Sequence, residues 1–280
     1  MSHFSTTQYD SFSGAYDSVN DLPITRAIVP NVERLVAPYI KGARVLELAC
    51  GTGSFTRHLL DWGASSIVCV DVSQSMIQGA QSELEHYSQH KGKYRFMVAD
   101  CATPFTVTGG EDGTTSQEGQ FDLVFAAWLL NYAPDLPTMT EMFKNIARHL
   151  APGGRFITVL PHPEEDPKVC IDHVNAQYEQ GYGYRVDVRE GLPGAYKGYL
   201  VELHFDTDPP VEFGNYYLSM RVHEQAARDG GLTGKLAWEE IRVPEEEEVL
   251  NRYMKEPIPK GYLDEWLKYP DFGILVVEKE

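Results

Sequence analysis

Three carboxylates and a glycine-rich turn stand where apolar runs end. Glu47 lies inside the run 44–48, which closes on Ala49-Cys50-Gly51-Thr52-Gly53; Asp71 closes the run 66–70, and Asp100 follows the run 94–98. Glycine carries no Cβ, so a turn built on it lets a ligand approach the backbone. A carboxylate at the end of the next strand is placed to accept hydrogen bonds from ribose hydroxyls, and the strand ends of an open parallel sheet gather on the edge where ligands bind. Thr56 stands where G-x-G-x-x-G wants its third glycine, and no G-x-x-x-x-G-K-[ST] is present. Glu47 beside the turn repels a pyrophosphate and welcomes an amino or hydroxyl group. The ligand implied is a nucleoside without phosphate, carrying a cationic tail.

The elements that hold these residues alternate strand and helix over the first 160 positions. Strands are expected at 44–48, 66–70, 94–98, 121–126 and 155–160, with helices at 54–62, 73–90 and 139–150. Ser73 is the expected N-cap of the second helix, which puts Met76, Ile77, Ala80 and Leu84 on one face. Near-continuous apolar strands joined by helices predict a parallel sheet with right-handed crossovers. After Pro161 the chain turns rich in Pro, Gly, Tyr and acids. Residues 184–188 and 198–203 are expected to pair, followed by a helix at 220–229 and strands at 235–243 and 272–277. The loop 109–119 is expected at the surface, and Glu245 to Glu248 in a solvated helical turn.

Composition narrows the partners. With 24 Lys+Arg against 41 Asp+Glu, the net charge is −17, the wrong sign for a nucleic-acid backbone or an anionic membrane. No apolar run approaches the length of a membrane helix, and the opening residues lack the features of a signal peptide. The four cysteines, Cys50, Cys69, Cys101 and Cys170, show no C-x-x-C spacing, which argues for a reducing, cytoplasmic setting and against disulfides or zinc. No metal is expected, because a chelating site needs clustered acids, whereas Asp122 starts its strand and points away from the ligand edge and Asn131 has no acidic neighbour.

The segments VLELACGTG, VDVSQSMI, VADC, FDLVFAAWLLNYA and LAPGGRFITV together resemble the class I S-adenosylmethionine-dependent methyltransferases. The opening Tyr9-Asp10-Ser11-Phe12-Ser13-Gly14-Ala15-Tyr16-Asp17 is similar to the helix that covers the cofactor in small-molecule members. The AWLLNYA stretch and the Tyr-rich insertion look most like the toxoflavin-type N-methyltransferases and related enzymes of secondary metabolism.

The resemblance implies a Rossmann-like, seven-stranded, mostly parallel α/β sheet in one domain. Residues 1–40 would form a helical cover, 41–160 the cofactor-binding core, 161–217 a β-containing lid and 218–280 the completion of the sheet. The cofactor implied is S-adenosylmethionine, leaving as S-adenosylhomocysteine. Gly51 and Gly53 would form the turn beneath it, with the Ala49 backbone near its amino-acid tail and Glu47 orienting its amino group. Asp71 would hold the ribose, Val72 and Met76 would sandwich adenine, and Asp100 and the Cys101 amide would read its edge. Ala126, Ala127 and Trp128 would lie beside the sulfonium, with Tyr9 and Tyr16 closing over the methionine end. Aromatic faces suit a sulfonium, so Trp128 and Tyr132 are candidates beside the reacting atoms. His162 and Tyr132 are candidate bases, yet an amine, thiolate or acidic heterocycle needs no strong base. The expected activity is methyl transfer to N, O or S of a small molecule, by a monomer or homodimer acting on neither nucleic acid nor membrane. The alternative is a cofactor-binding homologue that does not methylate, such as a pericyclase, cyclase or regulatory subunit.

Overall fold

In chain order the strands are β1 (Arg44–Leu48), β2 (Ser66–Asp71), β3 (Tyr94–Val98), β4 (Thr108–Gly109), β5 (Thr115–Ser116), β6 (Phe121–Ala127), β7 (Leu150–Pro161), β8 (Tyr184–Gly191), β9 (Gly198–Phe205), β10 (Val211–Leu218), β11 (Leu236–Glu239) and β12 (Phe272–Glu278). The helices are α1 (Ser13–Asn20), α2 (Pro23–Arg26), α3 (Ile28–Val36), α4 (Ser54–Asp61), α5 (Gln74–Glu85), α6 (Leu136–His149), α7 (Lys168–Tyr178) and α8 (Met220–Asp229). This computed structural model describes residues 8, 13–109, 115–116, 119–244, 251–254 and 256–280.

Seven strands form one sheet in the order β11-β12-β7-β6-β1-β2-β3. All neighbours run parallel except β12, which is antiparallel to both β7 and β11. The reversal of strand order between β1 and β6 leaves a crevice at the strand ends, where an open α/β sheet takes its ligands.

Alternation along the strands sorts the core into two layers. Val45, Cys69, Leu123, Phe125 and Ile157 pack with Ile28 and Val32 of α3 and Leu59 of α4. Leu46, Val68, Val124, Ala126 and Phe156 pack on the other face with Phe143 and Ile146 of α6 and Val222 of α8. Each large apolar side chain removed from water contributes roughly 1.5–3 kcal/mol, so both faces must be covered. By the same alternation Glu47 projects onto the face of Val45 and Phe125, beneath α4.

The caps are explicit. Ser73 accepts from the Met76 N–H at 3.2 Å and starts α5; Asp135 accepts from the Thr138 N–H at 2.8 Å and starts α6. That cap, with a proline in the first turn, opens α6 three residues ahead of the expected 139. α5 ends at Glu85 rather than 90.

A second, three-stranded antiparallel sheet in the order β10-β9-β8 sits over the crevice, backed by α7. Its inward row pairs Tyr184 with Phe205, Val186 with Leu203 and Phe213, and Val201 with Asn215, while Val188 opposite Val201 is exposed. Trp266 is fully buried and belongs to the core. Among the described residues, no helix is long and apolar enough to cross a membrane. The expected turn at Glu245 to Glu248 and most of the 109–119 loop lie outside the described residues.

Candidate functional site

The strand ends, the glycine turn, α1 and β10 enclose a cavity of about 460 Å³. Its floor is the turn after β1. Ala49 and Gly51 both take positive φ, 53° and 55°. A Cβ built on Gly51 would meet nothing within 4 Å, so the turn is a cradle open to the cavity. The Gly51 N–H donates to Asp71 Oδ2 at 2.9 Å, and the Ser73 N–H donates to Asp71 Oδ1 at 2.9 Å. One carboxylate therefore locks both the glycine turn and the start of α5. A carboxylate oxygen accepts more than one hydrogen bond, so this role is compatible with holding a diol.

Glu47 lies deeper, 2% exposed. Its Oε2 accepts from Thr56 Oγ1 of α4 at 2.5 Å. Burial pushes its carboxyl up to about 8, outweighing the lowering effect of its bonds to Thr56 and Cys69. At neutral pH it holds its proton.

The opposite wall holds Val72, Met76, Asp100 and Cys101. Asp100 Oδ1 accepts from the Ala102 N–H at 2.8 Å, tightening the loop after β3. Asn145 of α6 donates to the Cys101 and Thr103 carbonyls at 2.9 and 2.8 Å and fixes that loop from behind. Ala127, Trp128 and Tyr132 line the far end. Trp128 has φ of 64° while its N–H donates to the Val159 carbonyl at 2.9 Å. A bulky residue in this region is strained, and the bond to β7 holds it there. Tyr16 of α1 closes the top. Burial, then the nearby Asp71 and Asp17 carboxylates, raises its phenol pKa. Asp17 accepts from Thr52 Oγ1 at 2.6 Å and ties the cover to the turn.

Of the residues marked from the sequence, Tyr16, Glu47, Ala49, Gly51, Asp71, Val72, Met76, Asp100, Cys101, Ala127, Trp128 and Tyr132 line this one cavity. Three lie elsewhere. Ala126 points to the α6 face by the alternation of β6, packed in that core layer. Gly53 faces α5, where a Cβ would come 2.8 Å from Leu84 Cδ1, so its glycine serves helix packing. His162 turns away beyond β7 and packs against Tyr269 with ring centroids 4.4 Å apart. Burial also lowers its pKa, and it lines neither cavity. Tyr132 is in place, but burial raises its phenol pKa, which makes it a hydrogen-bond donor rather than a base. Tyr9 lies outside the described residues. Sequence reading missed Asp17, Thr56 and Asn145, which act through the turns they hold.

The described lining carries four carboxylates, Glu47, Asp71, Asp100 and Asp135, and no Lys, Arg or His. A phosphate would find no counter-charge here. A second cavity of about 50 Å³ shares Tyr16, Trp128 and Tyr132 with the first and lies under the three-stranded sheet.

Residues 45–154 match a family described as a methyltransferase domain. The chain is 37% identical over 110 residues to the malonyl-[acyl-carrier protein] O-methyltransferase of Magnetococcus marinus, covering 38% of this chain and 34% of that protein. It is 33% identical over 201 residues to the mRNA cap guanine-N(7) methyltransferase of Caenorhabditis briggsae, covering 66% of this chain and 50% of that protein. The chain thus spans half or less of the length of these two relatives. A solved S-adenosylmethionine-dependent methyltransferase of Mesorhizobium loti superposes with a TM-score of 0.52 at 19% identity, covering 89% of this chain and 96% of that one. The fold is that of the class I S-adenosylmethionine-dependent methyltransferases, and S-adenosylmethionine is the cofactor of that fold.

Proposed function

We propose, with this methyltransferase domain as the premise, that the protein methylates a small molecule held between the cofactor cavity and the three-stranded sheet. The observation that carries the reading is the pair of neighbouring cavities that share Tyr16, Trp128 and Tyr132, one acidic and free of cations along its described lining, the other mainly aromatic and roofed by β8–β10.

The residues present fit the cofactor. The open cradle at Gly51 suits its amino-acid tail, with Glu47 ionising beside its ammonium. Asp71 suits the ribose, Val72 and Met76 the adenine faces, and Asp100 and the Cys101 backbone the adenine edge. When bound, S-adenosylmethionine supplies an electrophilic methyl group on a sulfonium.

The chain's own contribution is arrangement. Trp128, held at its strained φ, and Tyr16 bring aromatic faces to the shared wall, where they attract a cation and exclude water. Tyr132 donates a hydrogen bond there. Fixing two reactants in line removes much of the entropic barrier, so no strong base is required of these residues. Nucleic acid as acceptor is disfavoured by the net charge of −17, although a relative acts on an mRNA cap. The role in secondary metabolism, the cytoplasmic setting and the monomer or homodimer belong to this same proposal.

The test is incubation of the purified protein with methyl-labelled cofactor and either a small-molecule extract or capped RNA. Label in a small product is expected. Label confined to RNA overturns the small-molecule reading. Cofactor binding with no transfer to either pool supports the non-methylating alternative.

A further inference from the structure

The smaller cavity is walled mainly by Tyr184, Phe205, Phe213, Tyr217 and Phe272. Two amides interrupt that wall. Asn131, just after β6, and Asn215, on β10, line it, and each is 2% exposed. The Oδ1 of each is buried and meets no hydrogen-bond donor among the described residues. A buried carbonyl oxygen without a donor costs free energy. Asn215 stands in register with Val201, itself paired with Val188. An apolar side chain belongs at that inward position, so the amide calls for another reason. Asp271 lines the same cavity, but its oxygens are engaged: Tyr184 donates to Oδ2 at 2.6 Å and Trp266 to Oδ1 at 2.9 Å.

We propose that this cavity is the specificity chamber for the acceptor, and that Asn131 and Asn215 accept from a planar, uncharged end group bearing N–H donors, of the carboxamide or urea type. The inference rests on the methyl-transfer reading for what the bound molecule is used for. About 50 Å³ is room for roughly four water-sized units, which matches such an end group. The remainder of the acceptor then lies along Trp128 and Tyr132, the wall shared with the larger cavity. An anionic end group would find no Lys, Arg or His in the described lining. A cation would find the one lining carboxylate already committed to Tyr184 and Trp266.

The test uses the full chain and three probes, benzamide, N,N-dimethylbenzamide and benzoate, titrated by NMR with and without S-adenosylhomocysteine. Benzamide is expected to bind at least tenfold more tightly than either of the others. Asn131→Leu and Asn215→Leu are each expected to weaken benzamide at least tenfold, to leave S-adenosylhomocysteine affinity within twofold, and to raise the Tm of the unliganded protein. Equal binding of benzamide and its dimethyl analogue overturns the proposal. So does absence of benzamide binding, or a crystal structure with benzamide in which only ordered water meets the two oxygens. Should either Leu variant fail to fold, the comparison of probes on the wild-type chain still decides. Benzamide selectivity without S-adenosylhomocysteine binding would sink the methyl-transfer reading and leave the chamber standing.

Discussion

Replacing Glu47 by Gln removes one ionisable proton from the floor of the cavity and nearly nothing else. The carboxyl is buried and its pKa is raised from 4.5 to about 8. Below pH 4.5 folded and unfolded chains both hold the proton, and the group leaves stability unaffected. Above that value the unfolded chain loses the proton while the folded chain keeps it, so stability falls with rising pH and levels off above about 8. The unliganded wild type should lose roughly 3–4 kcal/mol from this group between pH 5 and pH 8. Glu47→Gln should lack that slope and be about 3 kcal/mol more stable at pH 7, a rise in Tm of roughly 6–10 °C. The reverse is expected on binding. At pH 7 the wild-type carboxyl holds about 0.9 of a proton, and an ammonium placed beside it drives that proton off. Calorimetry of S-adenosylhomocysteine binding, in buffers of different ionisation heat, should show about 0.9 more protons released by wild type than by the variant. Titration of the ligand's own groups is common to both proteins and cancels. Equal proton release and equal pH slopes in the two proteins would refute the placement of Glu47 beside the ligand's amino group.

Asp71→Asn keeps the shape but weakens the two backbone N–H bonds from Gly51 and Ser73. Charge-assisted bonds of this kind are worth about 1.5–3 kcal/mol, so S-adenosylhomocysteine affinity by calorimetry should fall about 10–100-fold. Gly53→Ala forces a Cβ to within 2.8 Å of Leu84 at φ of 84°. A loss of roughly 1–3 kcal/mol in urea unfolding, with m unchanged, is expected. His162→Ala should leave the labelled-methyl turnover within about twofold of wild type; abolished turnover with intact cofactor binding would restore His162 as a base.

The sheet and its ligand edge were legible because β2 ends on Asp71 and α5 carries its cap, Ser73, beside it. Asp71 and Ser73 declare themselves at once as strand end and helix start. Two lid elements left no such marks. α7 reads KVCIDHVNAQY, where β-branched residues and a buried polar Gln177 blur the helical stripe. β10 has Gly214 and Asn215 in its middle and a tyrosine pair after them. The pair divides in the fold, with Tyr216 lining the larger cavity and Tyr217 the smaller. The site residues followed the motifs except where side-chain direction decided. Ala126 and Ala127 are adjacent in sequence, and the pleat sends them to opposite faces. Asn131 and Asn215 are far apart in the chain, and only the three-dimensional fold brings them to one cavity.

The position of β12 sets the order in which the molecule can be assembled. β7 finds one neighbour in β6, already synthesised, but its other neighbour is β12. Between Pro161 and Phe272 the ribosome must deliver α7, all of β8–β10, α8 and β11. Throughout that interval the seven residues 155–161 of β7, largely buried in the finished protein, present an open edge. Such edges template pairing with other chains, and long-range pairings of this kind form slowly. Synthesis, rather than the finished fold, is thus when this protein is most exposed to aggregation. A pause or truncation before residue 272 would release a chain whose roof is complete and whose sheet is not.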